Sequence, residues 1–306
     1  MPPEPTASDS PLSGAVLDPG PYRDRGHDGP FPRCDFDGTG HGALVTVDRV
    51  SQRFEAPGGP VDILSDISLI VRPGEFRVLV GPSGSGKTTL LRIVAGLDRA
   101  ASGSVSALTA SGEVAHGAMV PQGRSVFPWL TASDNVAYGL KLRGVPRRER
   151  RARSEVLLAA VGLDGSADLY PRQLSEGMRQ RVAIARSLAV DPDILLMDEP
   201  FSALDEQTRL LLQEELLRIW HATAKTVLFV THSLDEALVL GDRISVMGTR
   251  PGRIVATIDV PFERPRSIVD VRTDPRYGPL YHRLWHHLRE QAPRPHDPAG
   301  TVEPAR

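Results

Sequence analysis

The sequence predicts an α/β fold: a parallel sheet covered by helices, with an all-helical insert in its middle. Three observations predict it. An apolar run, Phe76-Arg77-Val78-Leu79-Val80, feeds a glycine-rich loop and then a helical pattern over 88–95. Between about 127 and 190 strand-like runs give way to helical stretches at 135–142, 147–161 and 177–189. Strand–helix alternation then returns, with apolar runs at 193–197 and 226–230 on either side of a long amphipathic stretch over 206–222. Strands that alternate with helices build parallel sheets with both faces covered.

The chain has 306 residues, enough for one large domain or two modest ones. Its 36 Lys+Arg against 38 Asp+Glu leave a net charge of −2, which supplies little sequence-independent attraction for polyanions. A single cysteine, Cys34, excludes an intramolecular disulfide framework. No apolar run approaches the roughly 20 residues that span a bilayer, and no basic-then-apolar leader follows Met1, so a soluble protein is expected. The lysines are Lys87, Lys141 and Lys225 alone, with arginine carrying the other cationic positions.

Taken in order, residues 1–42 are dense in Pro, Gly, Asp and Ser without apolar periodicity, and read as a disordered tail. Leu44-Val45-Thr46-Val47 begins a strand pattern, and 63–71 a second one that ends in the turn Arg72-Pro73-Gly74-Glu75. After Val80 comes Gly81-Pro82-Ser83-Gly84-Ser85-Gly86-Lys87-Thr88, which fits G-x-x-x-x-G-K-[ST]. Glycines let successive backbone N–H groups converge on phosphate oxygens, and a helix N-terminus adds favourable dipole charge. Lys87 then reaches the β- and γ-phosphates, and Thr88 offers its hydroxyl to Mg²⁺.

Ile194-Leu195-Leu196-Met197-Asp198-Glu199 is an apolar strand that delivers two acids at its C-terminal end, the edge where parallel sheets gather ligands. In that setting Asp198 holds Mg²⁺ through water and Glu199 orients or deprotonates an attacking water; alone, the pair reads equally as solvated acids before Pro200. His232 follows another apolar strand; alone it reads as a satisfied structural histidine, and in a sheet that carries the first two sites it is placed to reach the γ-phosphate. From about 261 the chain turns Pro- and Arg-rich, with a helix expected over 280–290 and a loose tail over 292–306.

In this order, the motifs resemble the ATP-binding subunit of ABC transporters over about 45–247. Met119-Val120-Pro121-Gln122 looks like the Q-loop. Leu174-Ser175-Glu176-Gly177-Met178-Arg179-Gln180-Arg181 looks like the signature, Ser202-Ala203-Leu204-Asp205 like the D-loop, and Thr231-His232 like the switch histidine. The resemblance implies a P-loop NTPase with a RecA-like core, an N-terminal antiparallel β subdomain and an inserted α-helical subdomain. It places the domain at 43–260, with the helical subdomain at about 127–190 and a partly disordered extension at 261–306. It implies ATP and Mg²⁺ as cofactors. Gly81, Pro82, Ser83, Gly84, Ser85, Gly86, Lys87, Thr88 and Thr89 would bind nucleotide, and so would Ser175 and Gly177 from a second subunit. Phe54 matches the aromatic that stacks on adenine, and reads also as a core residue at a strand end. Glu199, His232 and Gln122 would be catalytic; Thr88, Gln122 and Asp198 would hold the metal.

Phe127-Pro128-Trp129-Leu130-Thr131, Asp134-Asn135-Val136 and Arg264-Pro265-Arg266 look like the nitrate/sulfonate/taurine importer group. That likeness implies a homodimer at the cytoplasmic face of the membrane, bound to transmembrane permease subunits and served by a solute-binding protein. The rival reading, a soluble ABC-type ATPase of DNA repair or translation, usually brings tandem cassettes or a long coiled coil. Here there is one phosphate loop, one signature and no sustained heptad. Nucleic acid is not expected as a partner, because the run Arg147-Arg148-Glu149-Arg150-Arg151-Ala152-Arg153 lacks interleaved aromatics and reads as a solvated helix face.

Four positions depart from the family pattern: Glu176, Arg77, Pro121 and Gly123. Pro121 and Gly123 stand around the Q-loop where the import group has an aromatic and an acidic residue, and bear on coupling rather than on the nucleotide site. Glu176 replaces the first of two signature glycines, which predicts slower turnover unless the carboxylate points away or pairs with a cation. Arg77 sits inside a buried strand and needs a partner that the sequence does not identify.

Overall fold

The computed structural model describes residues 42–291 apart from 58, 124, 125, 203 and 250; of the tails expected at 1–42 and 292–306 only Gly42, which is buried, lies among them. The chain runs β1 (Leu44–Ala56), β2 (Gly59–Val71), β3 (Phe76–Val80), α1 (Lys87–Val94), β4 (Ser102–Leu108) and β5 (Gly117–Val120). Four helices follow: α2 (Ala132–Val136), α3 (Tyr138–Leu142), α4 (Arg147–Ala160) and α5 (Glu176–Ala189). Then come β6 (Ile194–Asp198), α6 (Glu206–Thr223), β7 (Thr226–Thr231), α7 (Leu234–Leu240), β8 (Arg243–Met247), β9 (Ile254–Asp259), α8 (Ile268–Thr273) and α9 (Tyr277–Gln291). Among the described residues no helix is long and apolar enough to cross a membrane.

Two sheets result. The first is antiparallel with order β2-β1-β4; the second has order β5-β6-β7-β3-β8-β9, parallel except for the antiparallel β8–β9 pair. Side-chain alternation along a strand divides the core into two layers. Phe76, Val78 and Val80 of β3, with Leu195, Met197, Val227 and Phe229, face one cluster that includes α5, α6 and α7. Leu79, Ile194, Leu196, Leu228 and Val230 face the other, shared with Leu90 and Leu91 of α1 and with Val45, Val47 and Val71 of the antiparallel sheet. Phe229 anchors the first layer, its ring centroid 5.7 Å from those of Phe76 and Phe201.

Arg77 shares the second face. It is 2% exposed, its Nε is 2.7 Å from Glu75 Oε1, and it donates to Ser245 Oγ at 3.2 Å and Ile70 O at 2.8 Å. The missing partner of the sequence reading is therefore Glu75, two residues back on the same chain.

The helical insert packs on itself and is organised by Asn135. Its Nδ2 donates to the carbonyls of Phe127, Leu130 and Thr131, and its Oδ1 accepts from Phe127 N at 2.7 Å. The arginine run lies on α4, where Arg151 pairs with Glu155 at 2.9 Å and Arg153 with Glu149 at 2.6 Å.

Beyond 260 the chain packs into the same core, through Phe262, Ile268, Val271 and Leu284. Arg264 stacks 3.2 Å from the Trp220 ring centroid and donates to Asp242 Oδ1 at 2.7 Å, while Arg266 is buried and donates to Phe262 O.

Candidate functional site

The C-terminal ends of β3, β5, β6 and β7 lie side by side, because β5, β6, β7 and β3 are consecutive in the parallel sheet. Each is followed by a residue with functional chemistry. The loop 81–86 leaves β3, Gln122 follows β5, Asp198 ends β6, and His232 follows β7. This is the edge where ligands bind in parallel α/β sheets.

The loop after β3 is built by its glycines. Gly84 and Gly86 have φ of +79° and +84°, in the left-handed region open to glycine. A Cβ at Gly81 would lie 2.6 Å from the backbone oxygen of Met247, which closes that position to side chains, and one at Gly86 would be strained by its φ of +84° and would lie 3.2 Å from Ile63 O. Lys87 is buried inside the loop, where Nζ donates to Gly81 O at 2.8 Å and Pro82 O at 3.0 Å. Burial lowers its pKa, against the opposing fields of Glu199 and Asp198. Ser83 and Gly84 are exposed on the loop, Ser85 is buried, and Thr89 is half-buried in the first turn of α1.

Thr88 Oγ1 donates to Asp198 Oδ1 at 3.0 Å. Desolvation raises the Asp198 pKa, the Thr88 bond partly offsets that, and the neighbouring Glu199 charge adds to the rise. Glu199 has φ 45°, a strained value for a residue with a side chain, and its N–H donates to Val230 O at 3.0 Å. That left-handed turn presents its carboxylate to two other loops. Oε2 of Glu199 accepts from Gln122 Nε2 at 3.0 Å and lies 3.4 Å from His232 Nδ1.

Lys87, Thr88, Gln122, Asp198, Glu199 and His232 are thus gathered within one chain. Phe54, Ser175 and Gly177 stand on other elements. Phe54 is 45% exposed on β1, opposite Val61, so it is a surface aromatic rather than a core one. Ser175 caps α5, accepting from Met178 N at 3.2 Å, and a Cβ at Gly177 would lie 2.6 Å from Thr208 Cγ2. Glu176, the departure from the signature, forms an ion pair with Arg179, which also donates to Leu174 O at 2.9 Å.

The residues behind His232 belong to no motif in the sequence. Thr231 Oγ1 donates to the buried Glu236 at 2.5 Å and accepts from Ser233 N at 3.0 Å. The readable signal was Ser233 followed by Asp235-Glu236, a capped and acidic helix start.

Oxygen donors from Thr88, Asp198 and Gln122 suit a hard divalent cation such as Mg²⁺. Glycine-cleared backbone, Lys87 and the N-terminus of α1 suit a phosphate chain. Comparison with known proteins agrees with this chemistry. Residues 64–202 match the ABC transporter family model. An uncharacterized ABC transporter ATP-binding protein of Methanocaldococcus jannaschii, MJ0412, is 50% identical over 225 residues, 73% of this chain and 84% of that protein. The taurine import ATP-binding protein TauB of Rhizobium johnstonii is 49% identical over 226 residues, 72% of this chain and 86% of its own. TauB of Chromobacterium violaceum is 46% identical over 248 residues, covering 79% and 94%. The solved dimeric post-hydrolysis state of the ATP-binding cassette MJ0796, bound to ADP and Pi, matches with TM-score 0.64 and 31% identity over 72% of this chain and 100% of that one. With these relatives and this fold, the chain belongs to the ABC transporter family, as an ATP-binding subunit that hydrolyses ATP.

Proposed function

We propose that this chain energises an importer for a small solute of the nitrate, sulfonate or taurine class, acting as a homodimer that closes around ATP and Mg²⁺. The observation that supports the reading most is the convergence of Gln122 and His232 on one oxygen of Glu199, beside Lys87, Thr88 and Asp198.

Lys87 exchanges its loop carbonyls for β- and γ-phosphate oxygens, and the amides of 84–88 hold the remaining charge. Thr88 Oγ1, Asp198 and the Gln122 side chain would hold Mg²⁺. When bound, the cation neutralises charge that develops on the β- and γ-phosphate oxygens. Glu199 accepts a hydrogen bond from the attacking water and takes its proton as the oxygen–phosphorus bond forms, and ADP leaves with the β–γ bridging oxygen. His232 orients the γ-phosphate against Glu199. Ser175 and the Gly177 amide, opening α5, cap the γ-phosphate held by the other subunit. ATP would favour the closed pair and hydrolysis would release it, so closure is a ligand-biased equilibrium.

The exposed Trp129, with Phe127 against it at 5.6 Å between ring centroids, belongs to the surface proposed to receive the permease. Several curated relatives are named as taurine import proteins, which favours that solute class for this chain. The test of the site is Glu199→Gln. The purified variant should retain ATP and run as a dimer in its presence, with hydrolysis lost; a monomer without nucleotide overturns the reading. Uptake of labelled taurine, sulfonate or nitrate by vesicles carrying the chain and its neighbouring permease tests the transport role.

A further inference from the structure

The first turn of α7 carries two adjacent carboxylates with separate partners. Glu236 is buried, accepts from Thr231 Oγ1 at 2.5 Å and lies 3.9 Å from Arg209 Nε. Asp235 is the residue of α7 that is not buried. It accepts from Arg272 Nε at 3.0 Å and Arg272 Nη2 at 2.6 Å, and from the Tyr277 hydroxyl at 2.7 Å. Arg272 lies in the last turn of α8 and Tyr277 opens α9, so both belong to the C-terminal segment.

The geometry couples this clamp to the site. His232 and Ser233 alone separate the end of β7 from α7. Ser233 N donates to Thr231 Oγ1 at 3.0 Å, and Ser233 Oγ accepts from Glu236 N at 3.3 Å, so the turn holding His232 is bonded on both flanks. A seven-residue helix has little stability of its own, and the direction of its first turn is set by contacts made to it. A forked arginine–carboxylate pair is directional, and it adds orientation to the apolar burial of the rest of α7. Movement of that turn shifts His232 against Glu199, now 3.4 Å away.

We propose that Arg272 and Tyr277 are positioning residues for hydrolysis: by fixing Asp235, the C-terminal helices set the distance between His232 and Glu199. This rests on the reading of His232 as a group acting on the γ-phosphate. The segment after 260 is then part of the catalytic frame.

The test uses the full chain and steady-state ATPase kinetics. Arg272→Ala and Asp235→Asn should each lower kcat roughly tenfold, the scale of a sub-ångström displacement, with KM for ATP changed less than about twofold. Tyr277→Phe keeps the ring and should lower kcat about threefold. The double variant Asp235→Asn/Arg272→Ala should be no slower than the slower single, and exchanging the charges, Asp235→Arg with Arg272→Asp, should recover part of kcat. Unchanged kcat alongside a lowered thermal midpoint overturns the proposal. So do losses that multiply in the double variant, or losses that vanish at higher protein concentration. His232→Ala separates the two readings. If it keeps parental turnover, the role of His232 falls and the positioning claim with it; if it is inactive while Arg272→Ala is parental, the positioning claim alone falls.

Discussion

Thr88 and Asp198, 110 residues apart in sequence, meet through a 3.0 Å hydrogen bond that closes the nucleotide end of the sheet. The bond joins the start of α1 to the end of β6 and sets two oxygen donors beside Lys87.

Desolvation disfavours the ionised form of Asp198, so removal of its charge should separate stability from function. Asp198→Asn keeps an acceptor for Thr88 and removes the buried charge. Its thermal midpoint without nucleotide should equal or exceed the parent's, because the desolvation that disfavours the charge outweighs the attraction of Lys87 and Arg92, while stabilisation by Mg²⁺–ATP disappears. The raised pKa also fixes a pH dependence. Between the ordinary carboxylate range and the raised value the folded chain binds a proton that the unfolded chain does not. Lowering pH through that window therefore adds a stabilising contribution from Asp198 in the nucleotide-free protein, read as the parent's curve relative to that of Asp198→Asn, and weakens Mg²⁺-dependent nucleotide binding. A midpoint well below the parent's for Asp198→Asn would sink the idea.

Arg179 pairs with Glu176 one turn along α5, so the carboxylate should carry less of a kinetic penalty than its charge suggests. In the first turn of a helix the carboxylate also favours the dipole by roughly 0.3–1 kcal/mol. Glu176→Gly adds a helix-propensity cost of about 1 kcal/mol. The variant should thus lose about 1–2 kcal/mol in urea unfolding, with turnover altered by less than about threefold. A tenfold faster enzyme would show that Glu176 faces the γ-phosphate instead.

Legibility in the sequence followed burial pattern and chemistry. β3, β6 and β7 are five- or six-residue runs buried on both faces, so apolar composition alone located them, and each pointed to a functional residue. The antiparallel strands were harder. β4 is Ser102-Gly103-Ser104-Val105-Ser106-Ala107-Leu108, a mostly exposed edge strand held by backbone pairing to β1, and it carries almost no hydrophobic alternation. α7 is seven residues buried nearly all round, so it shows no amphipathic period to distinguish it from a strand. The phosphate loop, Asp198, Glu199 and His232 were legible because their residue types are set by chemistry. The Asp235–Arg272 and Glu236–Thr231 contacts were not, since ordinary charges carry no mark of the partner that tertiary folding brings.

Arg77 and Glu75 form an ion pair with side chains 2% and 6% exposed, at a 2.7 Å separation whose angle is not that of a hydrogen bond. Glu75 Oε2 also accepts from Arg72 N at 2.8 Å, and Arg77 satisfies Ile70 O at the base of the antiparallel sheet. Removing one partner strands the other charge. Arg77→Met should cost about 3–5 kcal/mol in denaturant unfolding, and the double change Glu75→Gln/Arg77→Met should recover much of it. If the double variant is no more stable than Arg77→Met, the pair is not the source of the cost.

His221 links stability to pH in the opposite sense from Asp198. Burial and the nearby guanidiniums of Arg264 and Arg266 lower its pKa to about 4, and its Nε2 accepts from Arg266 N at 3.2 Å. A proton on Nε2 would remove that acceptor and place a third cation beside two arginines. Between the ordinary histidine value of 6.5 and about 4 the unfolded chain holds a proton that the folded chain refuses, so stability falls as pH drops through this window. The side chain is partly open to solvent, which screens the effect to about 1–2 kcal/mol. Thermal midpoints from pH 7 to 4 should fall more steeply for the parent than for His221→Gln, which cannot titrate. Parallel curves would show that the knot formed by Trp220, Arg264 and Arg266 tolerates the proton, and that acid sensitivity of the C-terminal segment arises from its carboxylates alone.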